Sequence, residues 1–513
     1  FADAILDRDQ PEFWDLFGRL EWSPSERQTA RLHALVGGDR LDLVEEGGGE
    51  SKLVATAYDS GYLWATHQAI ASDRLYVDSA VSLSRGERDR RATERDDEKA
   101  IDVVDLRESR VAGFQQTWSA QLATVHAVEL GFAARRFETD YDYFSARDFS
   151  TPLVVLRAEP RGGESSFRGV LEDDQYGLFA SERWQPSPAL AVELGLRYDD
   201  HSLADDRVWS PRLQLSWALG ERGVVRAGWG HYHQSQRSYE LLVEDGDTAI
   251  YPLERSEHRV LGYEHRFDRG PLSALRVEAY RRSVRDPRPR YESLLEPFDA
   301  FPEGEVDRYR FDPTSSLARG AELFVRGRPG ERLGWWLNYA WAKSEDEIDG
   351  KTVPRLIDQR HTLNVDLQLR LPREWSLNLA WIFHTGRPTT AVGVEPIVID
   401  DGGGDGGDGG EEGDDDEGGG DGGGSEPTIE YVPVLGPLNG ERLADYHRLD
   451  LRIAREWRLE RGRLTFYADV QNLYDRENAA GYSIELDAET GELTSTPELW
   501  PGIFASAGVT WEF

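Results

Sequence analysis

The chain has no cysteine and no methionine in 513 residues. Without cysteine there is no disulfide staple, no thiolate zinc site and no thiol nucleophile. Without methionine the sequence carries no translation start of its own, and Phe1 does not open a basic-then-apolar leader. It reads as a processed chain or a fragment, with any N-terminal module lying outside it. No run of about 18 apolar residues is present either, so no transmembrane helix is expected. Cations are outnumbered: 59 Lys and Arg against 95 Asp and Glu leave a net charge of −36. Such a field repels phosphate backbones and argues against nucleic acid as a partner. Finally, His-Glu-x-x-His, Gly-x-Ser-x-Gly and Gly-x-x-x-x-Gly-Lys patterns are missing. No catalytic residue, metal site or cofactor is therefore assigned, and the chain is not read as an enzyme.

What the sequence has in abundance is two-residue alternation. In the last thirteen residues, PGIFASAGVTWEF, the side chains of Ile503, Ala505, Ala507, Val509, Trp511 and Phe513 share one face of an extended chain. The same pattern recurs along the whole sequence. Leu75, Val77, Ser79, Val81 and Leu83 form one stripe, and Leu190, Val192, Leu194, Leu196 and Tyr198 another. Trp375, Leu377, Leu379, Trp381 and Phe383 form a third. About nineteen such strands are predicted. Short turns (SPSERQ, IASD, QPSP, GERG, DRGP, GRPGER, PRE, LERGR) take turns with long polar loops. The loops are placed at Gly37–Ser60, Arg85–Glu98, Ser145–Ser166, Val284–Thr314 and around the acidic run 400–424.

Strands of this kind, with short and long links in alternation, predict an all-β fold: one large antiparallel transmembrane β-barrel with short periplasmic turns and long extracellular loops. No blade-like period points to a propeller. The second face of each strand mixes charges of both signs with glycine, as at Glu193, Gly195 and Arg197 or Asp366, Gln368 and Arg370. A wide watery lumen tolerates such a mixture. Trp22, Trp184, Trp217, Trp335, Trp375 and Trp457 sit at the ends of stripes beside turns, where a headgroup-level aromatic belt needs them.

Local motifs add a family resemblance. SPRLQLSWALGERGVVRAGWGHYHQS (Ser210–Ser235), LARGAELFVRGRPGERLGWWLNYAWAKS (Leu317–Ser344) and IDQRHTLNVDLQLRLPREWSLNLAWIFHTGRP (Ile357–Pro388) resemble hairpins of the barrel domain of TonB-dependent outer-membrane receptors of Gram-negative bacteria. So does YHRLDLRIAREWRLERGRLTFYADVQNLYDREN (Tyr446–Asn478). The resemblance implies a barrel of about 22 strands with a plug inside it. Counted back from the last strand, about three strands and the plug are expected upstream of Phe1, so residues 1–513 are read as a single, N-terminally incomplete barrel domain. It further implies a receptor in the outer membrane that imports a siderophore, cobalamin, oligosaccharide or peptide in a TonB-dependent manner. The implied partners are outer-membrane lipid and lipopolysaccharide, the barrel assembly machinery and a small-molecule ligand. A TonB energy-transducing complex would be reached through the plug. The assembly machinery would read Val509, Trp511 and Phe513. A passive porin-like channel without a plug is the alternative, and a soluble secreted β-protein or an outer-membrane hydrolase a second.

Site residues are few. His231 and His233 flank Tyr232 near the extracellular end of a strand, where they could touch a ligand or metal, although ordinary exposed histidines are the favoured reading. The run 400–424, DDGGGDGGDGG and onward, is dense in carboxylates but lacks the spacing of a calcium loop. It is read as a solvated, disordered extracellular loop.

Overall fold

A computed structural model describes residues 11–47, 50–96, 99–149, 162–295, 301, 304, 307–328, 330–399, 428–487 and 490–512. The acidic run 400–424 and Phe513 lie outside them. The wall of the fold is β1 (Glu12–Ser25), β2 (Gln28–Gly47), β3 (Glu50–Ser72), β4 (Leu75–Arg95), β5 (Lys99–Ala123), β6 (His126–Phe149), β7 (Gly162–Ser187), β8 (Leu190–His201), β9 (Asp206–Leu219) and β10 (Gly223–Gln234). It continues with β11 (Glu254–Arg266), β12 (Leu272–Arg285), β13 (Ser315–Gly327), β14 (Leu333–Ile348), β15 (His361–Leu371), β16 (Trp375–His384), β17 (Tyr446–Arg458), β18 (Arg463–Gln471) and β19 (Phe504–Glu512). Every strand pairs antiparallel with the next. A short strand, Lys351–Pro354, folds back on the end of β14 and completes a 20-stranded sheet. Among the described residues no helix is long and apolar enough to cross a membrane.

One end of the wall is made of tight turns. Two residues link β1 to β2, β3 to β4, β5 to β6 and β7 to β8. Later turns at this end use left-handed glycines, Gly220 (φ 68°), Gly270 (φ 96°) and Gly462 (φ 96°), where a Cβ would be strained. Long links gather at the opposite end, as the sequence predicts for a barrel with one short-turned rim.

The two faces differ as their residues dictate. Leu83, Leu130, Leu178, Leu194, Leu213 and Leu261 all project on one face, and Leu194 and Leu261 are 57% and 58% exposed. A leucine left in water forgoes about 1.5–3 kcal/mol, so a continuous stripe of them is stable only against hydrocarbon. Its upper edge can be read on each strand: Leu83 gives way to Arg85 on β4, Ala112 to Arg110 on β5, and Ala134 to Arg136 on β6.

Beyond that edge the wall departs from the sequence reading. The segments expected as polar loops at 37–60 and 85–98 continue the ladder: β2 and β3 stay paired from Gln28↔Ala69 to Gly47↔Glu50, and β4 reaches Arg95. Much of the segment 145–166 is likewise strand, since β6 runs to Phe149 and β7 starts at Gly162. Strands β2 to β7 are 20 to 26 residues long, whereas about 9–11 cross the hydrocarbon. The apolar alternation stops because the outer face has left the membrane, and paired charges take over. The expected loop 284–314 contains a hairpin, Arg290–Ser293 with Arg308–Phe311, and the two longest links carry hairpins of their own, Val392–Ile399 with Thr428–Leu435 and Ala479–Leu486 with Leu493–Leu499.

Two apolar cores hold these links in place. In the first, Leu241 and Val243 from the β10–β11 link pack on Ile101, Val103, Tyr141 and Tyr143 of β5 and β6. In the second, Leu294, Leu295 and Phe311 meet Ile348 and Val353, with Val392, Leu435 and Ile484 packed against them. The wall face that receives the β10–β11 link is the polar one, which is therefore the inside.

Candidate functional site

The site is built where the β10–β11 link, residues 235–253, folds against the inner wall. Its apolar triplet Leu241, Leu242 and Val243 is the reason it does so: Leu241 is fully buried and Val243 nearly so. Two short turns, Ser238–Glu240 and Val243–Asp245, shape the link, and Gly246 (φ 88°) ends the second in the left-handed region. The backbone polar groups thus brought inside find partners on β6, since Tyr141 Oη donates to the Ser238 carbonyl at 2.7 Å and the Thr139 and Ser238 hydroxyls lie 2.8 Å apart.

Beneath the link lies a buried charge cluster. Asp105 is wholly buried and accepts from Arg90 Nη2 at 2.8 Å and Arg107 Nε at 2.8 Å, with Arg88 Nη2 also 2.8 Å away. Arg107 reaches on to the link, donating Nη2 to Glu244 at 2.6 Å and Nη1 to the Leu241 carbonyl at 3.2 Å. Three guanidiniums face two carboxylates, an excess of one positive charge (3 − 2 = +1). A carboxylate at such depth is tolerable only with this full set of donors.

A second layer comes from the hairpin at 290–311. Arg308 forks onto Asp245 at 2.9 and 2.7 Å. Tyr251 and Tyr291 both donate to Asp247, at 2.8 and 3.3 Å, and the Arg310 guanidinium lies 5.7 Å from the Tyr291 ring. Burial, then the hydrogen bond to Asp247, pushes the Tyr251 phenol up to about 12, and burial, with Asp247, also raises Tyr291. Both phenols stay protonated in neutral water. Burial likewise holds Asp245 above the ordinary carboxylate value, against the pull of Arg308. The vestibule therefore presents fixed arginines and neutral phenols, a set suited to planar or anionic oxygen-rich ligands through bidentate and cation–π contacts.

The residues singled out from sequence are not gathered into one site. Tyr232 is on the inner face, packed on His258 (4.4 Å between rings) with the Arg212 guanidinium 4.6 Å from its ring. His231 is on the outer face beside Trp229, 5.2 Å away. His233 shares its ladder parity, and its Nδ1 lies 2.9 Å from the Ser210 hydroxyl. Val509 and Trp511 are on the outer face of β19, opposite Phe466 and Leu464, and both are exposed. Sequence reading missed Arg88, Arg90, Asp105, Arg107 and Glu244. The available signal was the apolar triplet at 241–243 inside an otherwise polar link.

A family model described as "TonB dependent receptor-like, beta-barrel" matches residues 13–473. The chain belongs to this family. The antiparallel meander is thus the wall of an outer-membrane β-barrel, the tight turns are periplasmic and the vestibule is extracellular. The family is one of receptors and transporters. The ferric enterobactin receptor of Pseudomonas aeruginosa is 31% identical over 227 residues, which are 39% of this chain and 29% of that receptor. Among solved structures, the ferric yersiniabactin uptake receptor FyuA from Yersinia pestis superposes with a TM-score of 0.64 at 12% identity, covering 98% of this chain and 70% of that one. The siderophore receptor PirA from Acinetobacter baumannii gives 0.61 at 13% identity, with 98% and 71% covered. The copper transporter OprC gives 0.63 at 14% identity, with 98% and 72% covered. At these identities the superpositions speak for the barrel fold alone.

Proposed function

We propose that this TonB-dependent receptor-like barrel takes up an iron–siderophore complex, caught in the extracellular vestibule between the inner wall of β4–β6 and the links 235–253 and 286–314. The observation that carries the reading is the lining of Arg88 and Arg310 with Tyr251 and Tyr291, held over the buried pairs Arg107–Glu244 and Arg308–Asp245. Oxygen-rich iron chelates carry negative charge and planar rings, and this lining matches both. The named function of the P. aeruginosa relative supports the same substrate class over cobalamin, oligosaccharide or peptide.

Passage through the wall would be driven by TonB acting on a plug that sits inside the barrel. Among the described residues, nineteen wall strands follow one another in strict antiparallel order, the wall that such a plug would need. Val509 and Trp511, with Phe513, would be the residues read during barrel assembly, and outer-leaflet lipid would cover the apolar stripe.

The test is uptake. Cells carrying the full-length gene should accumulate radiolabelled iron from at least one of a panel of ferric siderophores, and lose that uptake when TonB is removed. Uptake that persists without TonB would favour the passive pore. A panel in which no ferric siderophore binds the purified protein, by quenching of its tryptophan fluorescence, would sink the substrate assignment.

A further inference from the structure

Above the apolar stripe the outer face is not uniform. On β4 to β7 opposite charges cancel: Arg85 lies 2.9 Å from Glu108, Arg110 3.0 Å from Glu138 and Arg136 2.7 Å from Glu172. On β10 to β14 they do not. The last apolar row, Ala227, Leu261, Ala279, Ala321 and Trp341, is followed one ladder step outward by Trp229, Arg259, Arg281, Arg319 and Lys343, each opposite the next. Farther out, Arg255 stands opposite Arg285. Like charges directly across a ladder repel.

Only part of this charge is met within the protein. Arg259 pairs with Glu257 at 2.7 Å and Lys343 with Glu345. Arg255, Arg281, Arg285 and Arg319 are exposed, and among the described residues none of them pairs with a carboxylate. A concavity of about 470 Å³ opens beside them, lined by Arg207, His231, His233, Arg255, Arg285 and Glu257 among others. In a chain of net charge −36, four unmatched arginines on one side, in two rows one above the other, form a local exception to the overall field.

We propose that this face binds the phosphorylated headgroup of an outer-leaflet glycolipid. The assignment rests on the apolar stripe facing lipid, and height decides the occupant. Successive residues on one face are about 6.6 Å apart along a strand, so Arg281 and Arg319 lie just above the hydrocarbon edge, where headgroup phosphates are and where a soluble anion has no reason to be held, and Arg255 and Arg285 stand two ladder steps farther out. Acyl chains then lie on Leu261, Val277 and Ala279 while phosphates bridge Arg281 and Arg319 below and Arg255 and Arg285 above. Guanidinium forks match phosphate oxygens two at a time. The bound phosphates remove the repulsion that the bare row carries.

The test uses the detergent-purified full-length protein and two probes, bis-phosphorylated lipid A and its dephosphorylated form, with retention read by native mass spectrometry. The wild type should retain the phosphorylated lipid in preference, and inorganic phosphate at equal concentration should not displace it. A variant with Arg255, Arg281, Arg285 and Arg319 each replaced by Gln should bind it about tenfold more weakly or worse. A control with Arg85, Arg110 and Arg136 each replaced by Gln should bind as the wild type does. Heat-modifiability on gels reports whether each variant has folded as a barrel, which separates loss of this site from loss of the barrel itself. Equal retention of the two lipids by the wild type would overturn the proposal however the variant behaves. So would displacement by inorganic phosphate, or full retention by the folded fourfold variant.

Discussion

Arg107 on β5 and Glu244 in the β10–β11 link are 137 residues apart in sequence and joined by a hydrogen bond of 2.6 Å. Both are buried, and Arg107 simultaneously holds Asp105 and the Leu241 carbonyl. Replacing Glu244 by Gln leaves three guanidiniums with one carboxylate. Breaking a buried pair by removing one partner costs about 3–5 kcal/mol, and the cheapest response is for the link alone to open. Glu244→Gln should therefore speed hydrogen exchange at Leu241–Asp245 by orders of magnitude while the strand amides of β5 stay protected. The matching change in an exposed pair, Glu108→Gln, should leave that exchange as it is. If the Glu244 variant exchanges at the wild-type rate, the link is held by its apolar residues and not by charge.

Gly386 offers a sharper contrast. A Cβ there would fall on the carbonyl group of Leu443, which is backbone and cannot swing aside, whereas a Cβ on Gly228 would meet nothing within 4 Å. Gly386→Ala should destabilise the protein by about 1–3 kcal/mol or more, seen as a lower midpoint in the heat-modifiability transition. Gly228→Ala should lie within about 1 kcal/mol of the wild type, on the favourable side because alanine has the smaller unfolded-state entropy. Similar midpoints for the two variants would show that the contact between the start of the longest link and Leu443 is looser than drawn.

These sites also show how far sequence alone reaches. Stripes such as Leu190 to Tyr198 are legible because hydrocarbon demands an apolar residue at every second position, and the tight turns are legible because they interrupt that demand. Above the membrane edge the demand ends. The ladder of β2 and β3 past Gly37 keeps only a broken apolar trace on its outer face, where Arg40, Asp42 and Asp59 are mixed with Ala55, Ala57, Val44 and Leu53, and such a mixture suits water as well in a strand as in a loop. The vestibule was less legible still. Nothing local to Glu244 or Asp245 says that Arg107 and Arg308 will meet them; those contacts come from the link folding against the inner wall and from the 290–311 hairpin laid beside it. Residue parity is legible here: His231 and His233 share the parity of Val225, Ala227 and Trp229, the outward side of the wall, beyond its apolar stripe.

Alkaline titration should find Tyr251. Its phenol is pushed up to about 12 by burial and by the Asp247 carboxylate, from an ordinary value of 10.0. The folded state therefore holds the proton more tightly than the unfolded state. The sign is that of a raised group: its contribution is complete below pH 10 and is lost as pH rises toward 12. Between these values the vestibule should loosen, and absorbance near the phenolate band should show a tyrosine that titrates late and disappears in Tyr251→Phe. A difference spectrum in which Tyr251 ionises with the bulk of the tyrosines would mean that its hydrogen bond to Asp247 is not kept in solution.

Leu194 and Glu193 are neighbours on β8 that face opposite ways. Leu194 lies mid-stripe between Val192 and Leu196 and is 57% exposed, while Glu193 shares the inner face with Arg197. An arginine on the lipid face near the bilayer midplane costs about 2–4 kcal/mol, and an inner-face change that conserves size costs within about 0.5 kcal/mol. Leu194→Arg should accordingly lower the guanidinium midpoint of the protein refolded into lipid vesicles, whereas Glu193→Gln should leave it unchanged. The same Leu194→Arg change in a short-chain detergent, which can rearrange around a charge, should cost less. If the arginine were accepted in the bilayer as easily as the glutamine, this face of β8 would not be in hydrocarbon, and the orientation of the whole wall would have to be reversed.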